Sequence, residues 1–220
     1  MKKNIIIIGH GDLGNRLTRI LNDEYKVFHV SRSNKFESSN FIEWDWLSKD
    51  GLNIEAKKID TVIFFPKPSS MDQKGYINGF INSAKNIYRE FCNLPINKFI
   101  SISSTRVYNK QYNQIAHESD EISTEEFRGQ IIREYEEQQE SFYGKKLIIL
   151  RLSGLYDASS NKMPKNCLHR KNAAQAIKFF IEKDFNFTDC EIFNCSEDNA
   201  NSSISNKKIK SLGFSFQQYH

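Results

Sequence analysis

The 220-residue sequence is poor in cysteine, and its few cysteines are not spaced for a metal site. None of them forms a C-x-x-C pair, and no histidine stands at zinc-binding spacing from them. The four are Cys92, Cys167, Cys190 and Cys195. We therefore expect free thiols in a reducing compartment and no bound metal.

The sequence also lacks long apolar runs and concentrated charge. The apolar run near the N-terminus covers only residues 5–8, far too short for a signal-peptide core or a membrane span. The 31 Lys and Arg residues exceed the 27 Asp and Glu residues by only four, and they are spread along the chain. A dedicated nucleic-acid binder usually carries a concentrated basic stripe. We expect a cytoplasmic protein with a small-molecule substrate and with no nucleic-acid or membrane partner.

No internal repeat and no linker rich in Pro or Gly interrupts the chain; strand and helix patterns alternate instead. The four consecutive isoleucines at 5–8 are typical of a strand buried on both faces of a parallel sheet. The predicted strands cover residues 5–8, 27–30, 41–44, 60–65, 98–102, 147–150 and 191–194. The predicted helices follow the first glycines and cover 72–91, 124–143, 172–181 and 205–212. We predict an α/β fold: one Rossmann-type, doubly wound parallel sheet over 1–220, with 1–152 as its core and 153–220 as a short C-terminal appendage on the substrate side.

A glycine-rich segment at residues 9–14 reads G-x-G-x-x-G. It follows a buried-type strand and opens an amphipathic helix, which is the context in which this pattern binds a dinucleotide. The first glycine permits a tight turn, the second lets the backbone approach the pyrophosphate, and the third lets the helix pack closely on the strand. The free N–H groups of the helix N-terminus then face the anion. The predicted cofactor-binding residues here are Gly9, His10, Gly11, Asp12, Leu13 and Gly14; the alternative is a βα turn without a ligand.

The end of the second predicted strand bears on which cofactor is bound. Sites that prefer NAD usually present an Asp or Glu there to the ribose 2′-hydroxyl. This chain instead has Ser31, Arg32 and Ser33, a guanidinium and two hydroxyls that suit a 2′-phosphate. The sequence thus favours NADP(H) over NAD(H), the alternative being that Arg32 is a solvated loop residue.

Five segments resemble one family in a consistent order over nearly the whole chain. They are the glycine-rich turn, Asp45, the S-S-T-R-V-Y of 103–108, the R-L-S-G-L-Y of 151–156, and residues 206–214. Together they resemble the extended short-chain dehydrogenase/reductase family, and more narrowly its compact, atypical NAD-dependent epimerase/dehydratase-like members. The resemblance implies that Asp45 contacts the adenine and that Phe65 and Pro66 replace the small residues lining the ribose. It also implies that the long helices permit a homodimer.

In active members of this family a Ser, a Tyr and a Lys four residues after the Tyr carry out the chemistry. Ser104 stands at the Ser position, but Arg128 occupies the Tyr position and Ile132 the Lys position. No Y-x-x-x-K occurs anywhere in the chain. Since Arg does not release a proton at physiological pH, the usual catalytic set is absent.

Three other residues are candidates to replace the missing Tyr and Lys: Tyr135, His169 and Arg128. Tyr135 fits a packing role better than a catalytic one. His169 is the titratable candidate in a loop that, by the resemblance, faces the substrate cleft, with capping as its alternative role. Arg128 is either an anion-binding residue or a solvated helix residue.

Three functions remain open from the sequence. The first is an NADP(H)-binding oxidoreductase that acts on a small carbonyl or sugar-like substrate through a non-standard site. The second is a non-catalytic NADP(H)-sensing regulatory protein. The third is a sugar-nucleotide epimerase or dehydratase, which the missing Tyr and Lys disfavour.

Overall fold

Seven parallel strands form the central sheet of this computed structural model. The structure describes residues 2–21, 23–48, 50–54, 58–108, 114–121, 124–161, 163–200 and 202–219. The strands of the sheet are β1 (Lys3–Ile8), β2 (Tyr25–Ser31), β3 (Phe41–Glu43), β4 (Ile59–Phe64), β5 (Ile96–Ser104), β6 (Leu147–Leu152) and β9 (Glu191–Cys195). Their spatial order is β3-β2-β1-β4-β5-β6-β9, so the direction of winding reverses between β1 and β4. The predicted doubly wound α/β fold is confirmed.

Helices cover both faces of the sheet. Their bounds are α1 (Asp12–Ile20), α2 (Gln73–Ile77), α3 (Ser83–Phe91), α4 (Phe127–Tyr143), α5 (Arg170–Glu182) and α6 (Lys207–Ser211). Strand β1 shows why both faces are apolar: Ile6 and Ile8 pack among side chains from α2, α3 and α4, while Ile5 and Ile7 pack among side chains from α1, α5 and α6. All four isoleucines are fully buried, and each contributes roughly 1.5–3 kcal/mol of hydrophobic stabilisation.

The helix predicted over residues 72–91 is wrong in its middle. A π-helical turn, Asn78–Asn82, separates α2 from α3. The Ser83 hydroxyl donates to the Asn78 carbonyl at 2.7 Å and accepts from Trp46 Nε1 at 3.0 Å, so a polar side chain fills the widened turn. Gly79 lies within this turn, where a Cβ would overlap the Lys67 carbonyl oxygen, so the turn packs directly against the backbone that follows β4.

A second, two-stranded parallel sheet was not predicted. Strands β7 (Gly154–Tyr156) and β8 (Cys167–His169) have three residues each and pair in register from Gly154 with Cys167. Such short segments carry no readable periodicity. Strand β8 runs directly into α5, which therefore begins at Arg170 rather than at the predicted residue 172.

Across the described ranges, no helix combines the length and the apolar character that crossing a bilayer requires.

Candidate cofactor-binding site

The glycine-rich turn connects the end of β1 to α1. Gly9 has φ +85°, a conformation that L side chains rarely adopt. A Cβ there would lie 2.6 Å from the Phe65 carbonyl oxygen, because Phe65 N donates to the Ile8 carbonyl across the β1–β4 pair. Gly9 is thus required by the close approach of two strands at the reversal point of the sheet.

Gly11 is required by no protein contact. It is the N-cap residue of α1 and provides no side-chain hydrogen bond to the first amides of that helix. A Cβ at Gly11 would have only the Gly9 carbonyl oxygen near it, at 3.9 Å. The space above the helix N-terminus is therefore open, which fits a diphosphate approaching the backbone amides.

Gly14 brings α1 against the sheet. A Cβ there would lie 3.1 Å from His10 Cδ2 and 3.2 Å from Ile7 Cγ2. The helix therefore sits as close to β1 as a glycine allows, as expected for the third glycine of this pattern.

The main cleft, about 920 Å³, lies beside the turn at the carboxyl ends of β1, β4, β5 and β6. Ligands of open α/β sheets bind at this edge, where the strand order reverses. The predicted residues that line this cleft are Gly9, Gly11, Asp12, Leu13, Gly14, Phe65, Pro66 and Ser104. Sequence reasoning did not single out Ser153, Lys165 and Arg170, which line the same cleft.

A smaller cavity, about 300 Å³, lies on the other side of the turn near the end of β2. Its predicted lining residues are Gly9, His10, Gly11, Ser31, Arg32, Ser33, Asp45 and Phe65, and it also includes Lys35. The Ser31 hydroxyl donates to the Ser33 carbonyl at 2.8 Å, while Asp45 Oδ1 accepts from Leu47 N at 3.0 Å. The two cavities share the glycine-rich turn, as an elongated dinucleotide requires.

The side chain of His10, a residue of the turn, packs against His29 of β2. Its ring centroid is 4.0 Å from that of His29, and both side chains are almost fully buried. Burial lowers the pKa of both imidazoles, and the neighbouring His10 helps to bring the pKa of His29 to about 4. Both rings are therefore neutral at physiological pH.

Comparison with known proteins agrees with this geometry. The family model described as "NAD dependent epimerase/dehydratase family" matches residues 5–170. The chain belongs to the NAD-dependent epimerase/dehydratase family. The resemblance predicted from the motifs is confirmed, although no curated protein matches the chain.

Solved structures share the fold at low sequence identity. UDP-N-acetylglucosamine 4-epimerase from Bacillus cereus superposes with a TM-score of 0.78 at 18% identity, covering 99% of this chain and 95% of that one. Glucuronic acid dehydrogenase from Chromohalobacter salexigens gives 0.78 at 16% identity, covering 99% and 85%. UDP-glucuronic acid 4-epimerase from Bacillus cereus, solved in complex with NAD, gives 0.72 at 16% identity, covering 89% and 79%.

Within this epimerase/dehydratase fold, Ser104 ends β5 and lines the main cleft. Its hydroxyl oxygen accepts a hydrogen bond from Arg106 N at 3.2 Å and caps the short 3₁₀ turn that follows. Because an accepted bond leaves the hydroxyl proton uncommitted, Ser104 is able to donate into the cleft. The neighbouring Ser103 donates instead to Glu136 Oε1.

A buried ion pair supports this wall of the cleft. Arg151 on β6 and Glu136 on α4 form a fork-shaped contact, with Arg151 Nη2 at 2.7 Å from Glu136 Oε2, and both side chains are at least 96% buried. Arg151 also donates to the Tyr108 hydroxyl at 2.7 Å. Such a pair fixes geometry, because removing one partner leaves the other charge buried and unpaired. The sequence prediction ended this strand at residue 150 and so missed that Arg151 lies inside it.

The two residues that the resemblance assigns to the Tyr and Lys positions, Arg128 and Ile132, are not among those lining the main cleft. The Arg128 guanidinium carbon lies 5.6 Å from the ring centroid of Tyr76 and 5.5 Å from that of Phe127, and Arg128 is not among the cleft-lining residues. Ile132 is buried in the core. Tyr135 is fully buried and hydrogen-bonds to Ser101, so it has the packing role predicted for it. The anion-binding role of Arg128 stays a prediction.

His169 lies at the end of β8 and is the N-cap residue of α5. Its Nδ1 accepts from Lys171 N at 3.2 Å, and its ring stacks on Tyr219 with centroids 4.4 Å apart. It is not among the residues lining the main cleft. The structure thus gives His169 the capping role that the sequence left as an alternative, and its catalytic role stays a prediction.

The described ranges contain no group of three or more His, Cys, Asp or Glu residues arranged to hold a metal ion.

Proposed function

We propose that the protein is an NADP(H)-binding oxidoreductase that acts on a small carbonyl or sugar-like substrate through a non-standard active site. The observation that carries the proposal is the open space above Gly11 at an uncapped helix N-terminus, inside a turn that family members use for a dinucleotide. When bound, the nicotinamide supplies or accepts a hydride.

The residues that would hold the cofactor fall into two groups. The turn residues Gly9 to Gly14 would bind the diphosphate through the N-terminal amides of α1, with Phe65 and Pro66 beside the ribose in the main cleft. Ser31, Arg32, Ser33 and Asp45 would bind the adenosine half in the smaller cavity. The second group gives the site its preference among dinucleotides.

The proposed preference for NADP(H) rests on charge at the end of β2. Arg32 and Lys35 both line the smaller cavity, and the side chains that β2 and its following turn bring to it are hydroxyls and cations. A 2′-phosphate pairs with such groups, whereas a carboxylate would repel it. The Bacillus cereus UDP-glucuronic acid 4-epimerase was solved with NAD, so the preference proposed here separates this chain from that one.

Ser104 is the proposed substrate-positioning group. Its hydroxyl donates to the substrate carbonyl oxygen and stabilises the negative charge that develops there as hydride arrives. The proton that completes a reduction comes from solvent in this proposal, because His169 caps α5 and the tyrosine position holds Arg128.

A second function, a non-catalytic NADP(H)-sensing regulatory protein, is favoured by one specific observation. Arg128 and Ile132 occupy the positions of the family's Tyr and Lys, and neither lines the main cleft. A protein that binds the cofactor without turning it over needs no proton donor at those positions.

Two measurements on the purified protein test these proposals. Calorimetric titration with NADPH and with NADH is expected to give saturable binding that is at least tenfold tighter for NADPH. A protein that binds neither NADPH nor NADH at millimolar concentration contradicts the proposal. Loss of NADPH absorbance at 340 nm with a panel of small carbonyl and sugar-like substrates then separates the two functions: turnover that Ser104→Ala reduces supports the oxidoreductase, and binding without any turnover supports the sensor.

A further inference from the structure

Four charged side chains form a cluster beside the glycine-rich turn. Two are carboxylates, Asp12 and Asp157, and two are guanidiniums, Arg16 and Arg170. Arg16 Nε lies 2.9 and 3.1 Å from the two Asp12 carboxylate oxygens, and its Nη2 lies 2.8 Å from Asp157 Oδ2. This four-charge cluster joins α1, the segment after β7, and α5, and its formal charge is zero.

The two guanidiniums are held differently. Arg170 is held at longer range, with Nη1 at 3.4 Å from Asp12 Oδ2 and Nε at 3.5 Å from Asp157 Oδ2. Arg170 lines the main cleft together with the glycines of the turn, whereas Arg16 does not. Arg16 therefore neutralises the carboxylates at short range, and Arg170 is the cation that the cluster presents to the cleft.

Asp12 makes a second cation necessary. Its carboxylate lies in the first turn of α1, at the helix end that would receive the diphosphate. A carboxylate there repels a diphosphate unless both of its neighbouring cations compensate. Both arginines contact Asp12 and Asp157, but Arg170 makes the longer contacts and lines the cleft, so it is the cation placed to provide this compensation.

We infer that Arg170 contacts the diphosphate of the bound dinucleotide and is a cofactor-binding residue of this chain. The inference rests on the proposed function and deepens it. In the bound state the planar guanidinium spans a phosphate oxygen and the cluster carboxylates, a fork geometry that Arg provides and Lys does not. Asp12 and Asp157 act as positioning residues that hold Arg170 beside the turn.

Titration of Arg170→Gln with NADPH tests the inference directly. The dissociation constant is expected to rise at least tenfold, because a charge-assisted contact to the diphosphate is lost. Arg170→Lys keeps the charge without the fork and is expected to give a severalfold rise. Lys178→Gln is the matched control: it removes one positive charge from the same helix, at an ion pair with Glu182 outside the main cleft. The dissociation constant of Lys178→Gln for NADPH is expected to stay within twofold of that of the unsubstituted protein.

Titration with ADP-ribose identifies the part of the cofactor involved. This probe has the diphosphate but neither the nicotinamide nor a 2′-phosphate, so Arg170→Gln is expected to weaken it by the same factor as NADPH. A weakening seen with NADPH but absent with ADP-ribose overturns the inference.

Other results of these titrations also support or overturn the role of Arg170. An unchanged dissociation constant in Arg170→Gln, or an equal loss in Lys178→Gln, overturns the inference and leaves the proposed function standing. If Arg170→Gln does not fold, Arg170→Lys decides: a raised dissociation constant supports the inference and an unchanged one overturns it. If the original protein binds neither NADPH nor NADH, the proposed function fails and this inference fails with it.

Discussion

At the scale of single residues, the end of β2 is proposed to determine which dinucleotide fits. Arg32 is exposed at the rim of the smaller cavity, beside Ser31, Ser33 and Lys35. In the proposal these groups favour a 2′-phosphate over a free 2′-hydroxyl, in a cavity that the Asp45 carboxylate also lines. Cofactor preference is therefore expected to depend on a residue that contributes little to folding.

Arg32→Gln is expected to weaken NADPH binding about tenfold and to leave NADH binding nearly unchanged, because an exposed contact between a cation and a phosphate is lost. Calorimetry with both dinucleotides measures the change in preference. Arg89→Gln, at an exposed position on α3 away from both cavities, is the control and should alter neither affinity. Equal weakening of NADPH and NADH by Arg32→Gln would contradict the role assigned to the 2′-phosphate.

Candidate site residues could be predicted from the sequence where a motif or a predicted strand identifies their position. The glycine-rich turn and the serines at the end of β2 were named from their places after readable strands, and Ser104 was named from the family resemblance. Arg170 was not, because its closeness to Asp12 depends on how α5 packs against α1, at a sequence separation of 158. Spacing along the chain contains no signal for such a contact.

At the scale of elements, the π-helical turn between α2 and α3 is the clearest departure from the expected pattern. The amphipathic spacing of 72–91 predicted one continuous helix, and apolar side chains do continue along one face. The widened turn instead depends on a hydroxyl, Ser83, that is 99% buried and bonded at both its donor and acceptor sides. Periodicity indicates where apolar residues lie, but not where a polar side chain adds a hydrogen bond to a backbone carbonyl, as Ser83 does to Asn78.

Ser83→Ala is expected to lower the free energy of unfolding by about 1 kcal/mol, because the half-buried Trp46 indole N–H loses its acceptor. Urea unfolding followed by tryptophan fluorescence measures the change. Ser141→Ala, at an exposed position on α4, provides the comparison and should alter stability by less than about 0.5 kcal/mol. A Ser83→Ala protein as stable as the original would show that the hydroxyl does not hold the turn.

At the scale of the whole molecule, the buried His10–His29 pair makes stability depend on pH. Both pKa values are lowered in the folded protein, so the unfolded chain binds more protons as the pH falls below about 6.5. The stability associated with the neutral rings is thus fully present above that pH and is lost on acidification toward the folded-state pKa of His29, about 4. His29 alone contributes a slope of roughly 1.4 kcal/mol per pH unit within this window.

The free energy of unfolding is therefore expected to fall steadily between pH 6.5 and pH 4.5, as measured by urea titrations at fixed ionic strength. His29→Gln is expected to flatten much of that decline while lowering stability at pH 7.5. A His117→Gln control, on a histidine outside the pair, should leave the slope as it was. Stability that does not change between pH 6.5 and pH 4.5 would show that the paired rings take up protons as readily in the folded protein as in the unfolded chain.

The account as a whole depends on the open backbone above α1, and Gly11→Val tests it most directly. A Cβ at Gly11 would lie 3.9 Å from the Gly9 carbonyl oxygen, the nearest atom of the described residues apart from the adjoining residues, and Gly11 has φ −103°. The fold is therefore expected to tolerate valine, with an unfolding free energy within about 1 kcal/mol of that of the unsubstituted protein. The same side chain fills the space proposed for the diphosphate, so calorimetric binding of NADPH is expected to fall at least a hundredfold. Folded Gly11→Val protein that binds NADPH as tightly as the original would contradict the account.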